Sequence, residues 1–153
     1  MGPRIDFRHA SPAAWKALLD TETAVRQAGL EPALLELVRM RASQINGCAY
    51  CLDMHGKDAL AAGEDAQRLL VLPAWREAPF YSARERAALA WTEAVTRIGG
   101  GIDDALFAEA HAEFGDAGLV DLTLAVVAIN GWNRMCVAFR SEVGSYVPPA
   151  HGQ

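Results

Sequence analysis

Residues 31–62 decide the fold of this chain, and they read EPALLELVRMRASQINGCAYCLDMHGKDALAA. Their apolar side chains recur at intervals of three and four residues, the spacing that places them on one face of an α-helix. Glu31-Pro32 opens a first helix, since proline suits the first helical position, and Asn46-Gly47 ends it. A second helix begins around Cys48 and continues to Gly63. The stretch therefore predicts two helices that fold back on each other as an antiparallel hairpin.

Further helices are predicted on both sides of this hairpin, each bounded by residues that start or stop a helix. Ser11 precedes a proline at the first helical position, and Ser82 forms a capping box with Glu85. The remaining segments with helical period are 12–28, 64–71, 83–98, 103–115 and 116 to beyond 139. Alternating strand patterns are nearly absent. The sequence predicts an all-α protein with a single compact domain of six to seven helices, spanning residues 1–153.

The composition argues against several classes of protein. A net charge of -5 and a pI near 5.3 disfavour nucleic-acid binding, which usually needs a basic surface. The most apolar stretch, residues 122–133, is shorter than the ~20 residues of a membrane-spanning helix. The N-terminus lacks the apolar core of a secretory signal, so we expect a cytoplasmic protein. Three cysteines then indicate metal binding or redox chemistry rather than a disulfide framework.

The predicted second helix of the hairpin carries two cysteines and a histidine on one face. Cys48, Cys51 and His55 are spaced three and four residues apart, so they lie one above the other. The cysteines fall in the first turn, where unpaired amides and the helix dipole favour a thiolate. One helical turn separates their Cα atoms by roughly 5 Å, which a disulfide tolerates. The pair can therefore alternate between dithiol and disulfide.

Glu36 joins this group through the geometry of the hairpin. It lies ten residues before the turn at Asn46 and His55 lies eight residues after Gly47, so antiparallel packing sets the two side chains roughly level. Its leucine and valine neighbours predict a half-buried carboxylate, which needs a partner such as an imidazole. The alternative is that Glu36 pairs with Arg39 along a solvated helix face.

The run from Glu36 to His55 resembles the signature of the alkylhydroperoxidases, the AhpD-like branch of the carboxymuconolactone decarboxylase family. That signature has a glutamate twelve residues before the first cysteine of a C-x-x-C motif and a histidine four residues after the second. Glu36, Cys48, Cys51 and His55 match all four positions. The resemblance extends from about residue 31 to residue 98. It resumes at residues 130–134 in the last predicted helix, which spans about 116–140.

The resemblance implies an AhpD-like helical fold and a role for each matched residue. Cys51, the cysteine nearer His55, would attack a peroxide oxygen and become a sulfenic acid, and Cys48 would resolve it to a disulfide. His55 and Glu36 would form the proton relay. One position departs from the pattern, because better-known peroxidases often have a second histidine between the cysteines and this chain has Tyr50.

The resemblance also implies the partners of the protein. Organic hydroperoxides would be the substrate, and dihydrolipoamide or a thioredoxin-like protein would be the dithiol reductant. The cysteines would work alone, without a bound cofactor or metal. Family members commonly form trimers or hexamers, and helices rich in Ala, Leu and Trp agree with a homo-oligomer. We expect no nucleic-acid or membrane partner.

Other interpretations of the same residues stay open at this point. C-x-x-C is also a zinc-ligand spacing, but structural zinc needs four ligands and the sequence offers no second pair, with Cys136 remote. Cys136 itself is most simply a small core residue. The cysteines could also be two inert buried thiols. Beside a peroxidase, the sequence allows a non-catalytic redox sensor or assembly protein, or a lyase of the decarboxylase type that uses His55 and Glu36 alone.

Overall fold

The computed structural model describes residues 2–149, which form seven α-helices and two single-turn 3-10 helices and no β-strand. This confirms the predicted all-α class and the single compact domain. The predicted domain limits, residues 1 and 153, lie outside the described residues. The α-helices are α1 (Phe7–Ala10), α2 (Pro12–Gln27), α3 (Pro32–Asn46), α4 (Ala49–Ala61), α5 (Ala66–Val71), α6 (Ala83–Thr96) and α7 (Asp104–Phe139), and the 3-10 helices are Leu72–Ala74 and Ile98–Gly100.

The helix starts follow the capping residues of the sequence. Ser11 caps α2 by accepting a hydrogen bond from the Ala14 amide, and Ser82 and Glu85 form the reciprocal capping box of α6. α6 ends at Thr96, two residues before the predicted end. The prediction also missed α1, a single turn that Asp6 caps by accepting hydrogen bonds from two backbone amides.

The long helix α7 contains the break that the sequence predicts at Gly115. This glycine has φ 64° and ψ -176°, which are not helical values, so α7 consists of two helical halves joined at a kink. The second half ends at Phe139, where Arg140 adopts a left-handed conformation with φ 56°. The helix therefore does not run beyond Phe139 as predicted.

The α3–α4 hairpin lies at the centre of the fold. Gly47 turns the chain between the two helices with φ 65° and ψ 34°, a left-handed conformation that favours glycine. α3 packs against α4, α6 and α7, and Leu37 and Val38 on it are completely buried. This packing brings the start of α4 against the second half of α7. Within residues 2–149 no helix is both long and apolar enough to cross a membrane.

Candidate active site

Cys48 and Cys51 form a disulfide at the N-terminus of α4. Cys48 is the N-cap residue of this helix, one position earlier than the first-turn location predicted, and its Sγ accepts a hydrogen bond from the Cys51 amide at 3.3 Å. The two Cα atoms are 5.3 Å apart, close to the separation expected for one helical turn. Both residues are buried. The sulfur pair therefore lies at the positive end of α4 and is shielded from bulk water.

His55 and Glu36 are in direct contact across the hairpin, as the antiparallel geometry predicts. The His55 Nδ1 atom lies 2.9 Å from Glu36 Oε2, and both side chains are largely buried. With Nδ1 donating to the carboxylate, Nε2 is the ring nitrogen free to exchange a proton. His55 also lies one turn beyond Cys51 on the same helix face. The hairpin thus joins the carboxylate, the imidazole and the disulfide in one buried row.

Glu36 also forms an ion pair with Arg39, so both predicted partnerships occur together. Arg39 is only 6% exposed and lies between Glu36 and Glu22, each of which accepts a hydrogen bond from its guanidinium. The alternative of a solvated helix face is therefore wrong. Burial by itself would raise the pKa of the Glu36 carboxyl. The hydrogen bond and charge of His55, together with Arg39, outweigh this effect and hold the pKa below its ordinary value.

A cavity of about 550 Å³ opens onto this row of side chains. Cys51, His55 and Glu36 line one part of it. The rest is largely apolar and comes from the N-terminal segment and from α2, α4 and α7, through Ile5, Phe7, Trp15, Leu19, Met54 and Trp132. Trp15 and Trp132 meet edge to face, with ring centroids 5.2 Å apart. Their place on a cavity wall follows only from how α2 crosses α7.

Comparison with known proteins identifies the family of this chain. The family model for carboxymuconolactone decarboxylases matches residues 10–94, more than half of the chain. The chain belongs to the carboxymuconolactone decarboxylase family. An uncharacterized protein of Bacillus subtilis, YdfG, is 36% identical over 146 residues, which cover 95% of this chain and 99% of the relative.

Two solved structures show the same fold. One is a protein of unknown function from Agrobacterium tumefaciens, proposed to be the antioxidant defence protein AhpD. It is 42% identical, has a TM-score of 0.91, and the match covers 95% of this chain and 100% of that one. The second is the debrominase Bmp8, solved as a cysteine-to-alanine variant in complex with 2,3,4-tribromopyrrole, at 18% identity and a TM-score of 0.80 over 90% of this chain and 74% of that one. At that identity the likeness extends to the fold alone.

The C-terminal segment of this chain, residues 141–149, crosses α4 close to the four matched positions. This segment has no regular secondary structure, yet hydrogen bonds hold it in place. The Tyr146 hydroxyl donates to Asp58 Oδ1 at 2.7 Å, and Lys57 Nζ donates to the carbonyls of Gly144 and Tyr146. The Gly144 amide in turn donates to Asp53 Oδ2. Burial and the bond to Asp58 raise the pKa of Tyr146, so its phenol stays protonated.

Cys136 lies beside the disulfide, so the expectation that it is remote is wrong. The Sγ atoms of Cys48, Cys51 and Cys136 all lie within 4.8 Å of one another, because α7 packs across the start of α4. Cys136 is buried and takes part in no disulfide. Tyr50, in place of the family's second histidine, is partly buried beside the same cavity, and burial raises the pKa of its phenol.

A network of amide side chains holds this corner of the fold. Asn46 donates from Nδ2 to the Oδ1 atoms of Asn130 at 3.0 Å and Asn133 at 2.8 Å, and Asn133 donates to Ser43 Oγ at 3.0 Å. Asn130 and Asn133 are therefore polar residues whose hydrogen bonds are satisfied inside the chain. Their bonds tie the end of α3, directly before the C-x-x-C motif, to α7.

Two groups of side chains have the atoms that metals prefer. One is the set of three cysteines, and the other is Glu36, His55 and Asp58, whose nitrogen and oxygen ligand atoms also lie within 4.8 Å of one another. The first set cannot bind a metal as three thiolates while Cys48 and Cys51 are joined. In the second, Glu36 and His55 bind each other and Asp58 accepts from Tyr146.

Proposed function

We propose that this protein is a thiol-dependent peroxidase that reduces organic hydroperoxides through a Cys48–Cys51 dithiol/disulfide cycle, with His55 and Glu36 as its proton relay. One observation carries the proposal. The disulfide lies at the N-terminus of α4, one turn from a histidine that is hydrogen-bonded to a buried carboxylate. The cysteine nearer that histidine lines an apolar cavity. Membership of an enzyme-containing family with an AhpD-like fold supports it.

The proposed cycle begins with the reduced pair. The Cys51 thiolate attacks the outer oxygen of the hydroperoxide, an S–O bond forms, and the O–O bond breaks. The departing alkoxide takes the proton that His55 accepted from the Cys51 thiol, and it leaves as an alcohol. The Cys48 sulfur then attacks Cys51, expelling the sulfenic hydroxyl as water and forming the disulfide. An external dithiol reduces this disulfide and is itself oxidised.

The character of the cavity supports an organic substrate. Its aromatic and aliphatic wall suits an alkyl or aryl group, and Cys51 and His55 lie at its polar end. A dithiol such as dihydrolipoamide or a thioredoxin-like protein is the reductant we propose. Because such reductants keep thiols reduced inside cells, we also propose a cytoplasmic location.

Peroxide consumption with a recycling dithiol tests the proposal. Cumene hydroperoxide, tert-butyl hydroperoxide and hydrogen peroxide are each supplied in excess with dihydrolipoamide. Wild type is expected to turn over many times per chain, Cys51→Ser to be inactive, and Cys48→Ser to accumulate a sulfenic acid that a dimedone probe captures. His111→Asn is the matched control for His55→Asn, because His111 also pairs with a carboxylate, Asp116, but is exposed and lies in the first half of α7.

Other outcomes would contradict the proposal in distinguishable ways. A single turnover per chain, with no regeneration by any dithiol, would indicate a redox sensor instead. An activity that survives loss of both cysteines but needs His55 and Glu36 would indicate chemistry of the decarboxylase type. Sulfenic acid found on Cys48 in the Cys51→Ser protein would reverse the two thiol roles.

A further inference from the structure

The proposed cycle does not use the third cysteine at this site, Cys136. It lies on the last turn of α7, is 6% exposed, and packs in one cluster with Cys48 and Cys51. All three Sγ atoms lie within 4.8 Å of one another. A change of χ1 rotamer moves a cysteine sulfur about the Cα–Cβ bond, so a thiol this close can approach the disulfide by rotation of its own side chain.

The three sulfurs do not face the same space. Cys51 lines the apolar cavity with His55, whereas Cys48 does not. Cys48 instead lines a second, shallower opening beside the first, together with Cys136, Arg140 and Ser141. Cys136 borders both openings, so it lies between the place where Cys51 would meet a peroxide and the surface at which Cys48 is reached.

We infer that Cys136 is a third redox residue, which attacks the Cys48 sulfur and converts the Cys48–Cys51 disulfide into a Cys48–Cys136 disulfide. In this exchange the Cys136–Cys48 bond forms as the Cys48–Cys51 bond breaks. Cys51 leaves with the electron pair, and the proton of the Cys136 thiol passes to Cys51 or to His55. The step is an isomerisation of one disulfide into another, so it needs no oxidant or reductant.

The local chemistry favours this direction of attack. In thiol–disulfide exchange the better leaving group is the sulfur that is more stable as a thiolate. Cys51 lies in the first turn of α4, one turn from His55, where the helix dipole stabilises that charge. Burial raises the pKa of the Cys136 thiol, although a bond to Ser141 acts in the opposite direction. Because the thiolate is the attacking species, Cys136 must lose its proton before it attacks Cys48, and the exchange is expected to become faster as the pH rises.

The exchange would place the two half-reactions of the cycle, oxidation by the peroxide and reduction by the dithiol, at different openings. It returns Cys51 to the apolar cavity as a free thiol and leaves the disulfide beside the second opening, which Cys48 and Cys136 both line. The inference rests on the proposed redox use of the Cys48–Cys51 pair, but it does not depend on peroxide as the oxidant. Its test can therefore succeed or fail independently of peroxidase activity.

The decisive experiment removes Cys51 and asks whether the other two cysteines pair. Reduced Cys51→Ser protein retains two thiols, since the chain has three cysteines. After mild oxidation with diamide and unfolding, a thiol titration is expected to fall from two per chain to none, with a Cys48–Cys136 peptide found by mass spectrometry on monomeric chain. Two free thiols, or pairing only between chains, would overturn the inference.

Wild-type protein provides a second measurement that does not depend on the folding of Cys51→Ser. It is equilibrated in a glutathione redox buffer, quenched in acid, alkylated and mapped. A fraction with Cys51 alkylated and Cys48 joined to Cys136 is expected, and it must disappear in Cys136→Ala, which keeps a small apolar residue at that position. Detection of Cys48–Cys51 as the sole intrachain disulfide, with Cys136 always alkylated, would overturn the inference even if peroxide turnover is observed.

Discussion

Glu36 is the residue of the site that pairs with both of its basic side chains, His55 and Arg39. Its carboxylate accepts from His55 Nδ1 with one oxygen and from Arg39 with the other, and all three side chains are largely shielded from water. The arrangement fixes the orientation of the imidazole and leaves its second nitrogen free. A carboxylate so placed acts through His55, and removing its charge is expected to affect proton transfer more than disulfide formation.

Glu36→Gln is therefore predicted to slow peroxide reduction by roughly 10²–10⁴-fold, the usual size of a general acid–base contribution. His55→Asn should cost a similar factor, and the double variant little more than either single one, since groups that act as a unit are not additive. The measurement is kcat and KM with a fixed peroxide, alongside a thiol titration showing that Cys48–Cys51 still forms. Glu31→Gln, an exposed glutamate paired with Arg84, is the control. Additive losses would mean two independent roles.

The lowered pKa of Glu36 also predicts how stability depends on pH. The folded protein stabilises the ionised carboxylate more than the unfolded chain does, in which glutamate titrates near ~4.3. The resulting stabilisation is present above that pH and is lost as the pH falls through the lower folded-state pKa. Glu93 acts with the same sign, because hydrogen bonds from Trp75 and Arg76 outweigh the effect of its burial on its pKa.

Urea unfolding from pH 7 to pH 3 measures this dependence. Glu36→Gln is expected to be less stable than wild type at pH 7, and the difference should shrink as the pH falls below about 4.3. Glu77→Gln, at an exposed position, serves as the comparison and should follow the wild-type curve. A difference between wild type and Glu36→Gln that stays constant down to pH 3 would show that the ionised form is not the one the fold stabilises.

At the scale of elements, the α3–α4 hairpin positions the four matched residues in two ways. Three of them lie together because of the helical repeat, and the fourth reaches them because of the turn between the two helices. Cys48, Cys51 and His55 share a face because their spacing matches the helical repeat. Glu36 reaches His55 only because Gly47 reverses the chain at the correct register. The left-handed conformation of this one residue therefore connects the carboxylate to the rest of the site.

Gly47→Ala is predicted to lower the free energy of unfolding by about 1–2 kcal/mol, the cost of a left-handed conformation for a residue with a Cβ. A Cβ there would meet nothing within 4 Å, so the loss would come from the backbone and not from a clash. Gly47→Asn should lose less, because asparagine tolerates this conformation. Denaturant titration measures both variants. Gly99→Ala is the control, since it also has open space but no positive φ, and equal losses at the two positions would refute the argument.

At the scale of the molecule, residues 2–149 leave several large apolar side chains in solvent. Leu70 is 80% exposed, Val120 68% and Val127 53%, and the last two lie two turns apart on α7. Single exposed apolar residues are common on monomers, but residues that recur along one helix face are typical of a contact surface. We propose that copies of this chain associate as a trimer or hexamer.

Light scattering at micromolar concentration is predicted to give a mass several times the 16.5 kDa of one chain. The apolar surface on α7 should then be protected, so amide exchange along its second half should slow as the protein concentration rises. A mass near 16.5 kDa across the whole concentration range would contradict the proposal.

The sequence by itself determined the helices, their caps and the arrangement of Cys48, Cys51 and His55. Each of these depends on residues within one or two turns of each other, where the helical repeat dictates the geometry. Even the contact between Glu36 and His55 follows from one short turn. Small errors remained at helix ends, such as the missed α1 and the early end of α6, because capping and fraying depend on neighbouring elements.

Only the tertiary structure decided what surrounds these residues. The approach of Cys136 to the disulfide, the tryptophan wall of the cavity and the hold of Tyr146 on Asp58 all join segments far apart in the chain. No periodicity encodes such contacts, because they depend on the angles at which α2 and α7 cross the hairpin. Those angles are set by the packing of many side chains at once, so a thiol that looked like a core residue in sequence became a neighbour of the candidate site.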